Sequence, residues 1–176
     1  MSEKTTSERP RMIVFHGDGA GEVNDEMMPR EGVDENIMAG MAKIADVDFQ
    51  EGVGDEIKLL FKEPGDEGMS LLHAWFKSGY TLPFHSHSTD CLYYVTAGEL
   101  HMGSHVLKKG DGVFIPAGHG YGYEAGPEGV EILEFRNATH FNLKFAKNPI
   151  ERWEKIANTY SERADIWKQE TPPSER

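Results

Sequence analysis

The sequence predicts an all-β barrel or sandwich, with an irregular arm before it and one amphipathic helix after it. The chain contains 19 glycines, and many of those from Gly52 onward separate short runs rich in β-branched and aromatic side chains. Such spacing is typical of short strands joined by tight turns. From Val47 the apolar residues recur with a period of two, and near the C-terminus the period becomes helical. We therefore expect an arm over residues 1–44, a barrel over 45–147, and a helix with a tail over 148–176.

The acidic composition limits the classes of partner. Lys and Arg total 18 while Asp and Glu total 30, which gives a net charge of −12 with histidine neutral. Proteins bind nucleic acid or anionic membranes through basic patches, so we expect neither partner. The single cysteine, Cys91, excludes an intrachain disulfide and fits a reducing compartment. Because no secretory signal or membrane-length apolar run is visible, we expect a cytoplasmic location.

The arm at residues 1–44 is expected to be partly disordered, because residues 1–11 are polar. Residues 12–15 (MIVF) could form an edge strand that pairs with the main sheet or with a neighbouring subunit. Residues 16–21 (HGDGAG) form a glycine-rich loop without the Lys and Ser/Thr that phosphate-binding loops carry, so a nucleotide site is not expected. Residues 37–44 are compatible with either a helix or a strand.

The barrel segment contains a series of predicted strands separated by turns. The predicted strands are residues 47–49, 57–61, 69–76, 92–96, 99–102, 105–107, 113–115, 130–136 and 141–145. We predict a turn at Ala97-Gly98, a two-residue hairpin at Gly103-Ser104, and another turn at Gly126-Pro127.

The C-terminal segment predicts one amphipathic helix over residues 149–168. Asn148 is a candidate N-cap, with Pro149 at the first helical position and Glu151 at the third. Apolar residues then recur at helical spacing as far as Trp167. This apolar stripe must cover either the barrel or a partner subunit, and the diproline after it is expected to end the ordered chain.

Two histidines mark the candidate site. His85 and His87 are separated by one residue inside an extended, aromatic-rich run. In a strand, alternate side chains project from the same face, so both imidazoles are expected to point the same way. They could bind a metal together, or they could line the barrel and form hydrogen bonds without one.

Two glycine-containing motifs around these histidines resemble a known family. The first is Gly79, five residues, His85-Ser86-His87, and then Gly98 behind an aromatic strand; the second is Gly110-Asp111 followed by Pro116-Ala117-Gly118. Their order and separation resemble the two motifs of the cupin superfamily, over roughly residues 45–146. The resemblance implies a double-stranded β-helix, the cupin jelly-roll barrel, with a metal or small-molecule pocket inside. It also implies a homodimer, for which residues 12–15 and the C-terminal helix are candidate contacts.

The resemblance implies a ligand set that this sequence matches only in part. The family pattern supplies two histidines and a glutamate from the first motif, and a third histidine from the second. His85 and His87 match, while Cys91 occupies the glutamate position and Tyr121 the position of the third histidine. His119 lies two residues before Tyr121 and could supply the missing imidazole. Cys91 could be a buried hydrophobic residue or a thiolate at a soft site, and Tyr121 could be a wall residue that offers its hydroxyl to a substrate, or a phenolate ligand.

The leading functional hypothesis is a metal-dependent enzyme acting on a small organic molecule. Its candidate metal ligands are His85, His87 and His119, and its candidate catalytic residues are Cys91 and Tyr121. Iron is the first choice of metal, with zinc, manganese, nickel or copper as alternatives. The leading reaction class is oxygen-dependent cleavage of a C–C bond in an aromatic or enolisable substrate. The alternatives are a zinc-type lyase, isomerase or cyclase, and a cupin that binds a small molecule without turning it over.

Overall fold

The computed structural model describes residues 12–45, 47 and 53–176. The strands are β1 (Gly21–Glu22), β2 (Arg30–Glu31), β3 (Asp55–Lys62), β4 (Ser70–Phe76), β5 (His85–Ser86), β6 (Cys91–Met102), β7 (His105–Lys108), β8 (Gly112–Ile115), β9 (Glu124–Arg136) and β10 (Leu143–Phe145). The α-helices are α1 (Glu35–Ala45) and α2 (Ile150–Trp167), and short 3-10 turns occur at Gly17–Gly19 and Pro173–Glu175. The strand predicted at 47–49 lies largely outside the described residues.

Two β-sheets make up the barrel, so the predicted all-β barrel is confirmed. The larger, antiparallel sheet has the order β1-β3-β4-β9-β6-β7, with β8 pairing along the first part of β6. The smaller sheet has the order β2-β10-β5. An isolated bridge between His85 and Tyr121 connects β5 to the segment between β8 and β9. The candidate histidines therefore lie where the two motif regions meet.

Alternation along the central strands determines which side chains reach the interior. In β6, Cys91, Tyr93 and Val95 are buried, whereas Leu92 and Tyr94 are exposed. The buried set belongs to one apolar cluster that also includes side chains of β4, β8 and β9. The period of two thus predicts the inner face of this strand correctly.

Two predicted turns are wrong, because the chain continues through them in the long strands β6 and β9. Residues 97–98 lie within β6 and residues 126–127 lie within β9, so neither pair ends a strand. The pairing of β6 with β9 instead shifts register between Val95 and Ala97 and again between Gly98 and Leu100. Such bulges absorb the local irregularity that the glycine indicates without ending the strand. The hairpin at Gly103-Ser104 is confirmed, because Met102 pairs directly with His105.

The arm is more structured than its sequence predicts. Residues 37–44, left open between helix and strand, lie within α1, while β1 pairs with β3 and β2 with β10. Residues 12–15 do not pair with the main sheet of their own chain, and their side chains are largely exposed. Pairing of these residues with a neighbouring subunit stays a prediction. The adjacent edge of β3 is occupied by β1 instead. Phe15 contacts Phe61 with ring centres 5.7 Å apart.

The predicted C-terminal helix is confirmed as α2, and its apolar stripe packs on its own chain. Trp153, Ala157, Tyr160 and Trp167 are all buried within the one chain. The Trp167 indole N–H donates to the Ser78 carbonyl oxygen at 2.9 Å, which attaches the end of α2 to the barrel. The alternative in which this stripe covers a partner subunit is therefore not needed.

Two details of the C-terminal segment differ from prediction. The Asn148 side chain does not cap α2; its amide nitrogen donates to the carbonyl oxygens of Phe84 and Ala146, and its oxygen accepts from the Phe84 N–H. The chain also does not lose order at the diproline, since the Ser174 N–H donates to the Glu131 carboxylate at 2.7 Å. The contacts of Asn148 with Phe84 and of Ser174 with Glu131 join residues far apart in sequence, so local patterns could not indicate them.

Candidate functional site

The two motif histidines lie side by side in the interior. His85 begins β5 and is 2% exposed, and His87 is 6% exposed. Their ring centres are 5.1 Å apart with the planes inclined by 77°. The two imidazoles are therefore neighbours in the interior, and their entry into one shared pocket stays a prediction.

A backbone carbonyl holds each of these rings in one orientation. The Nδ1 of His85 lies 2.9 Å from the Pro83 carbonyl oxygen, and the Nδ1 of His87 lies 2.6 Å from the Asn142 carbonyl oxygen. A carbonyl oxygen only accepts, so Nδ1 carries the proton and Nε2 keeps its lone pair. Histidines that bind metals through Nε2 are oriented in the same way by a partner at Nδ1.

The environment keeps both imidazoles neutral. Burial lowers the pKa of His85 from 6.5 to about 4, despite the opposing hydrogen bond to Pro83. Burial likewise lowers the pKa of His87 from 6.5 to about 2, with the positive charge of Arg136 as the next contribution. Neutral imidazole is the form that can donate an electron pair to a metal ion.

Tyr121 is the second-motif residue that reaches the histidines. It exchanges two backbone hydrogen bonds with His85, each at 2.9 Å, and its ring centre lies 4.5 Å from that of His85. Its hydroxyl lies 2.8 Å from the hydroxyl of Tyr93. Burial raises the pKa of both phenols, with Glu134 adding to the shift, so each hydroxyl stays protonated.

Cys91 faces the interior from the first residue of β6 and is 2% exposed. Burial raises the pKa of its thiol, and the nearby Glu134 carboxylate adds to that effect. The neutral thiol is the favoured form in this environment. Its predicted catalytic role stays a prediction.

His119 is placed apart from the other two histidines. It is exposed, and it follows the turn at residues 117–118. The neighbouring Gly118 N–H donates to the His87 carbonyl oxygen at 2.8 Å, so the backbone before His119 adjoins the site although its ring is solvent-accessible. No cluster of three or more His, Cys, Asp or Glu side chains suited to a metal occurs in residues 12–45, 47 and 53–176. A third ligand role for His119 stays a prediction.

Sequence reasoning missed an ion pair in the same interior. Arg136 donates from Nη2 to Oε2 of Glu134 at 2.8 Å, and both residues of β9 are buried. In the register of β6 and β9, Arg136 is opposite Cys91 and Glu134 is opposite Tyr93. The alternating pattern already indicated this burial, because Glu134 and Arg136 lie on the same face of β9 as the buried Val130 and Ile132.

Two cavities approach the histidine pair from different sides. The larger has a volume of about 1150 Å³ and extends from His85 to the helices and β3. Its lining is mainly apolar and includes Tyr80, Phe76 and Trp167. The smaller, of about 440 Å³, is bordered by His87, Gly118 and Asn142. Each histidine therefore borders a cavity, and the cavity at His85 suits an apolar or aromatic group.

The donor set fits a metal ion in part. His85 and His87 offer two neutral Nε2 atoms from oriented rings, which suits a divalent transition metal. The nearby Cys91 and Tyr121 are protonated, and the buried carboxylate of Glu134 is paired with Arg136. The two imidazoles could hold the metal, with its remaining positions left to solvent or substrate.

No protein-family model matches the chain, and no curated protein matches it. Solved structures of similar fold include an RmlC-like cupin from Shewanella frigidimarina NCIMB 400, at 24% identity and a TM-score of 0.44, covering 51% of this chain and 80% of that one. KdgF from Halomonas sp. has 18% identity and a TM-score of 0.45, covering 52% and 86%. Oxalate decarboxylase from Bacillus subtilis has 17% identity and a TM-score of 0.44, covering 50% and 27%.

The two sheets and the motif glycines together define the fold. Two β-sheets enclose a core, His85 and His87 line its interior, and the four motif glycines all have positive φ: Gly79 at 69°, Gly98 at 74°, Gly110 at 96° and Gly118 at 74°. Glycine adopts such angles without steric penalty, which explains its place in the motifs. The fold is the cupin-type barrel that the two motifs imply. No described helix, in the stretches 12–45 and 53–176, is long and apolar enough to cross a bilayer.

Proposed function

We propose that this chain is a cupin enzyme acting on a small organic molecule, with His85 and His87 as ligands of a divalent transition metal. The observation that carries the proposal is the pair of Nδ1 contacts to backbone carbonyls, which leaves both Nε2 atoms free and neutral. Iron is our first choice, with zinc, manganese, nickel and copper as alternatives. The metal would supply Lewis acidity, or redox chemistry in the case of iron.

The residues around the metal position would bind and orient the substrate. The Tyr121 hydroxyl is protonated and can donate a hydrogen bond to a substrate oxygen, once it gives up its contact with Tyr93. The apolar cavity beside His85 would take an aromatic or apolar part of the molecule and exclude water. Cys91 would border the pocket as a neutral thiol. A cytoplasmic location is part of the same proposal, because the lone cysteine is reduced there.

Metal content tests this proposal on the protein purified without added metal. We expect close to one transition-metal ion per chain in the wild type, and loss of it in a His85→Ala/His87→Ala double variant. His105→Ala, at an exposed histidine, is the matched control and should retain the metal. His119→Ala tests the predicted third ligand. Absence of metal in the wild type, or equal metal in the double variant, would contradict the proposal.

The leading reaction is oxygen-dependent cleavage of a C–C bond in an enolisable substrate. Two neutral imidazoles leave the metal's positive charge uncompensated, which favours an anionic enolate oxygen as a further ligand. A zinc-type lyase, isomerase or cyclase reaction is the alternative, and binding without turnover is the non-enzymatic one. Oxygen uptake with phenolic ketones and β-diketones discriminates among them: metal-dependent consumption supports the dioxygenase, product without consumption supports the lyase, and tight binding without either supports the binding protein.

We also propose that two copies of the chain form a homodimer through the outer face of the larger sheet. On that face Leu92 lies between Phe114 on β8 and Phe135 on β9, and all three side chains are exposed. Leu71 of β4 pairs with Phe135 on the other side, which extends the apolar row across the sheet. A row of this kind is unusual on a surface that faces only water.

A further inference from the structure

The Arg136 guanidinium is buried with part of its hydrogen-bonding capacity unused. Its side chain is 1% exposed and makes one hydrogen bond, from Nη2 to Glu134 at 2.8 Å. Neither Nε nor Nη1 has a hydrogen-bond partner among the described residues. Buried donors are normally satisfied, because each loses its hydration on folding. These two N–H groups can accommodate an acceptor that the barrel itself does not provide.

One aromatic ring, that of Phe141, lies next to both the guanidinium and His87. The guanidinium carbon is 4.1 Å from the centre of the Phe141 ring, and that ring centre is 5.6 Å from the ring centre of His87. The strand register places Arg136 opposite Cys91 on the inner face of the sheet. The same positive charge contributes to the lowered pKa of both His85 and His87. Arg136 therefore acts electrostatically on the candidate metal site.

The charges in this interior do not balance once a metal is present. Glu134 and Arg136 cancel each other, and both imidazoles are neutral, so a divalent ion would leave the interior with about two uncompensated positive charges. Stability alone gives little reason to keep an ion pair here, since apolar residues of similar volume often serve as well. An anionic molecule beside the metal would supply both the missing charge and the missing acceptor.

We propose that Arg136 recognises the substrate of this site as an organic anion, with Nε or Nη1 donating to a carboxylate or enolate oxygen. Glu134 holds the guanidinium in position by accepting from Nη2, which leaves the Nε and Nη1 donors without a protein partner. This inference rests on the proposed function, because it specifies the charge of the molecule that the same site would bind. Arg136 is then a specificity-determining residue, and neutral analogues of the substrate bind weakly.

Isosteric pairs of anionic and neutral probes test this assignment on the full-length protein as purified. Acetate is compared with acetamide, and benzoate with benzamide, by calorimetry and by the shift in melting temperature. We expect the wild type to prefer at least one anion by about tenfold or more, as for a charge-assisted hydrogen bond. Arg136→Gln should abolish that preference, and Arg136→Lys should retain part of it, since lysine keeps the charge without the planar donors.

Matched controls separate recognition from structure and from metal binding. Arg136→Lys preserves the test if Arg136→Gln fails to fold, because it changes only the donor geometry at this position. Glu134→Gln leaves the guanidinium charged without its partner and should weaken the preference without abolishing it. Metal content is measured on every sample. Equal binding of anion and neutral probe by the metal-loaded wild type would overturn the inference while the metal proposal stands. An anion preference that depends on Arg136 in a protein without metal would support the inference and contradict the metal proposal.

Discussion

At the scale of single residues, the two motif histidines are deeply buried, and a hydrogen bond holds each ring in one orientation. Each Nδ1 proton is used by a backbone carbonyl, so neither ring can rotate without losing a hydrogen bond. Burial then disfavours protonation of the remaining nitrogen, because a charged imidazolium in this interior would lose its hydration. A site built in this way keeps its lone pairs available at neutral and mildly acidic pH.

The lowered pKa values predict how stability depends on pH. The folded pKa values of about 4 and about 2 lie below the unfolded value of 6.5, so the unfolded chain binds more protons as pH falls below 6.5. Stability is therefore lost on acidification, by about 2 kcal/mol for each histidine at pH 5, or about 4 kcal/mol together.

Urea unfolding at pH 7.5 and pH 5, with a chelator present to exclude metal binding, measures this loss. His87→Gln should remove about half of the loss assigned to the pair. His105→Gln, at an exposed histidine of β7, should reproduce the wild-type pH dependence and serves as the control. A wild type equally stable at both pH values would show that these rings are not held neutral.

At the scale of elements, the long strands β6 and β9 form the central part of the larger sheet. β6 continues through Gly98, where the sequence predicts a turn, because a bulge accommodates the positive φ of this residue and pairing resumes beyond it. β9 likewise continues through Gly126. At Gly98 (φ 74°) a side chain would also meet the backbone of Gly129 on the paired strand. A side chain at position 98 is therefore disfavoured for two reasons: the backbone has a positive φ, and the paired strand leaves no space for a Cβ atom.

Two glycine substitutions separate these demands. Gly103 at the hairpin also has a positive φ, of 59°, but a Cβ there would meet nothing within 4 Å. Gly103→Ala should cost about 1 kcal/mol, from backbone conformation alone. Gly98→Ala should cost about 2 kcal/mol or more beyond that, because the two strands must separate. Urea denaturation of both variants measures the difference; equal costs would mean that the bulge relaxes freely.

At the scale of the whole molecule, the helices cover one part of the barrel and leave an apolar row on the larger sheet uncovered. Trp153 and Trp167 are each 1% exposed within the single chain, so α2 has already used its apolar stripe. On the sheet, by contrast, Phe114 is 59% exposed and Leu92 is 47% exposed. The sheet is therefore a better candidate for the dimer contact than the helix that the sequence suggested.

Placing a charge in the row should disrupt the proposed dimer. Leu92→Lys puts an ammonium group at the centre of the self-complementary contact, and we expect light scattering to report a monomer at concentrations where the wild type is dimeric. Val106→Lys changes a similarly exposed apolar residue of β7, outside the row, and should leave the dimer intact. A wild type that is monomeric, or a Leu92→Lys variant that remains dimeric, would rule out this interface.

The sequence alone predicted the barrel, its C-terminal helix, and the shared orientation of His85 and His87. These features depend on short-range periodicity and on glycines that need a positive φ, and both are visible along the chain. The two-residue spacing of His119 and Tyr121 does not give their side chains the same environment, since His119 is exposed and Tyr121 is buried in a segment that follows a turn. A two-residue period holds only where the backbone is extended.

The tertiary structure alone decided what surrounds the histidines. Strand pairing and the approach of the two sheets bring together the partners in three contacts. These are the Nδ1 of His87 with the Asn142 carbonyl, the hydroxyl of Tyr121 with that of Tyr93, and the guanidinium of Arg136 with the Phe141 ring. It also showed that α2 packs on its own chain, leaving the sheet exposed. The alternating pattern of a strand specifies which face a side chain occupies, and only the pairing of strands specifies the neighbours it meets there.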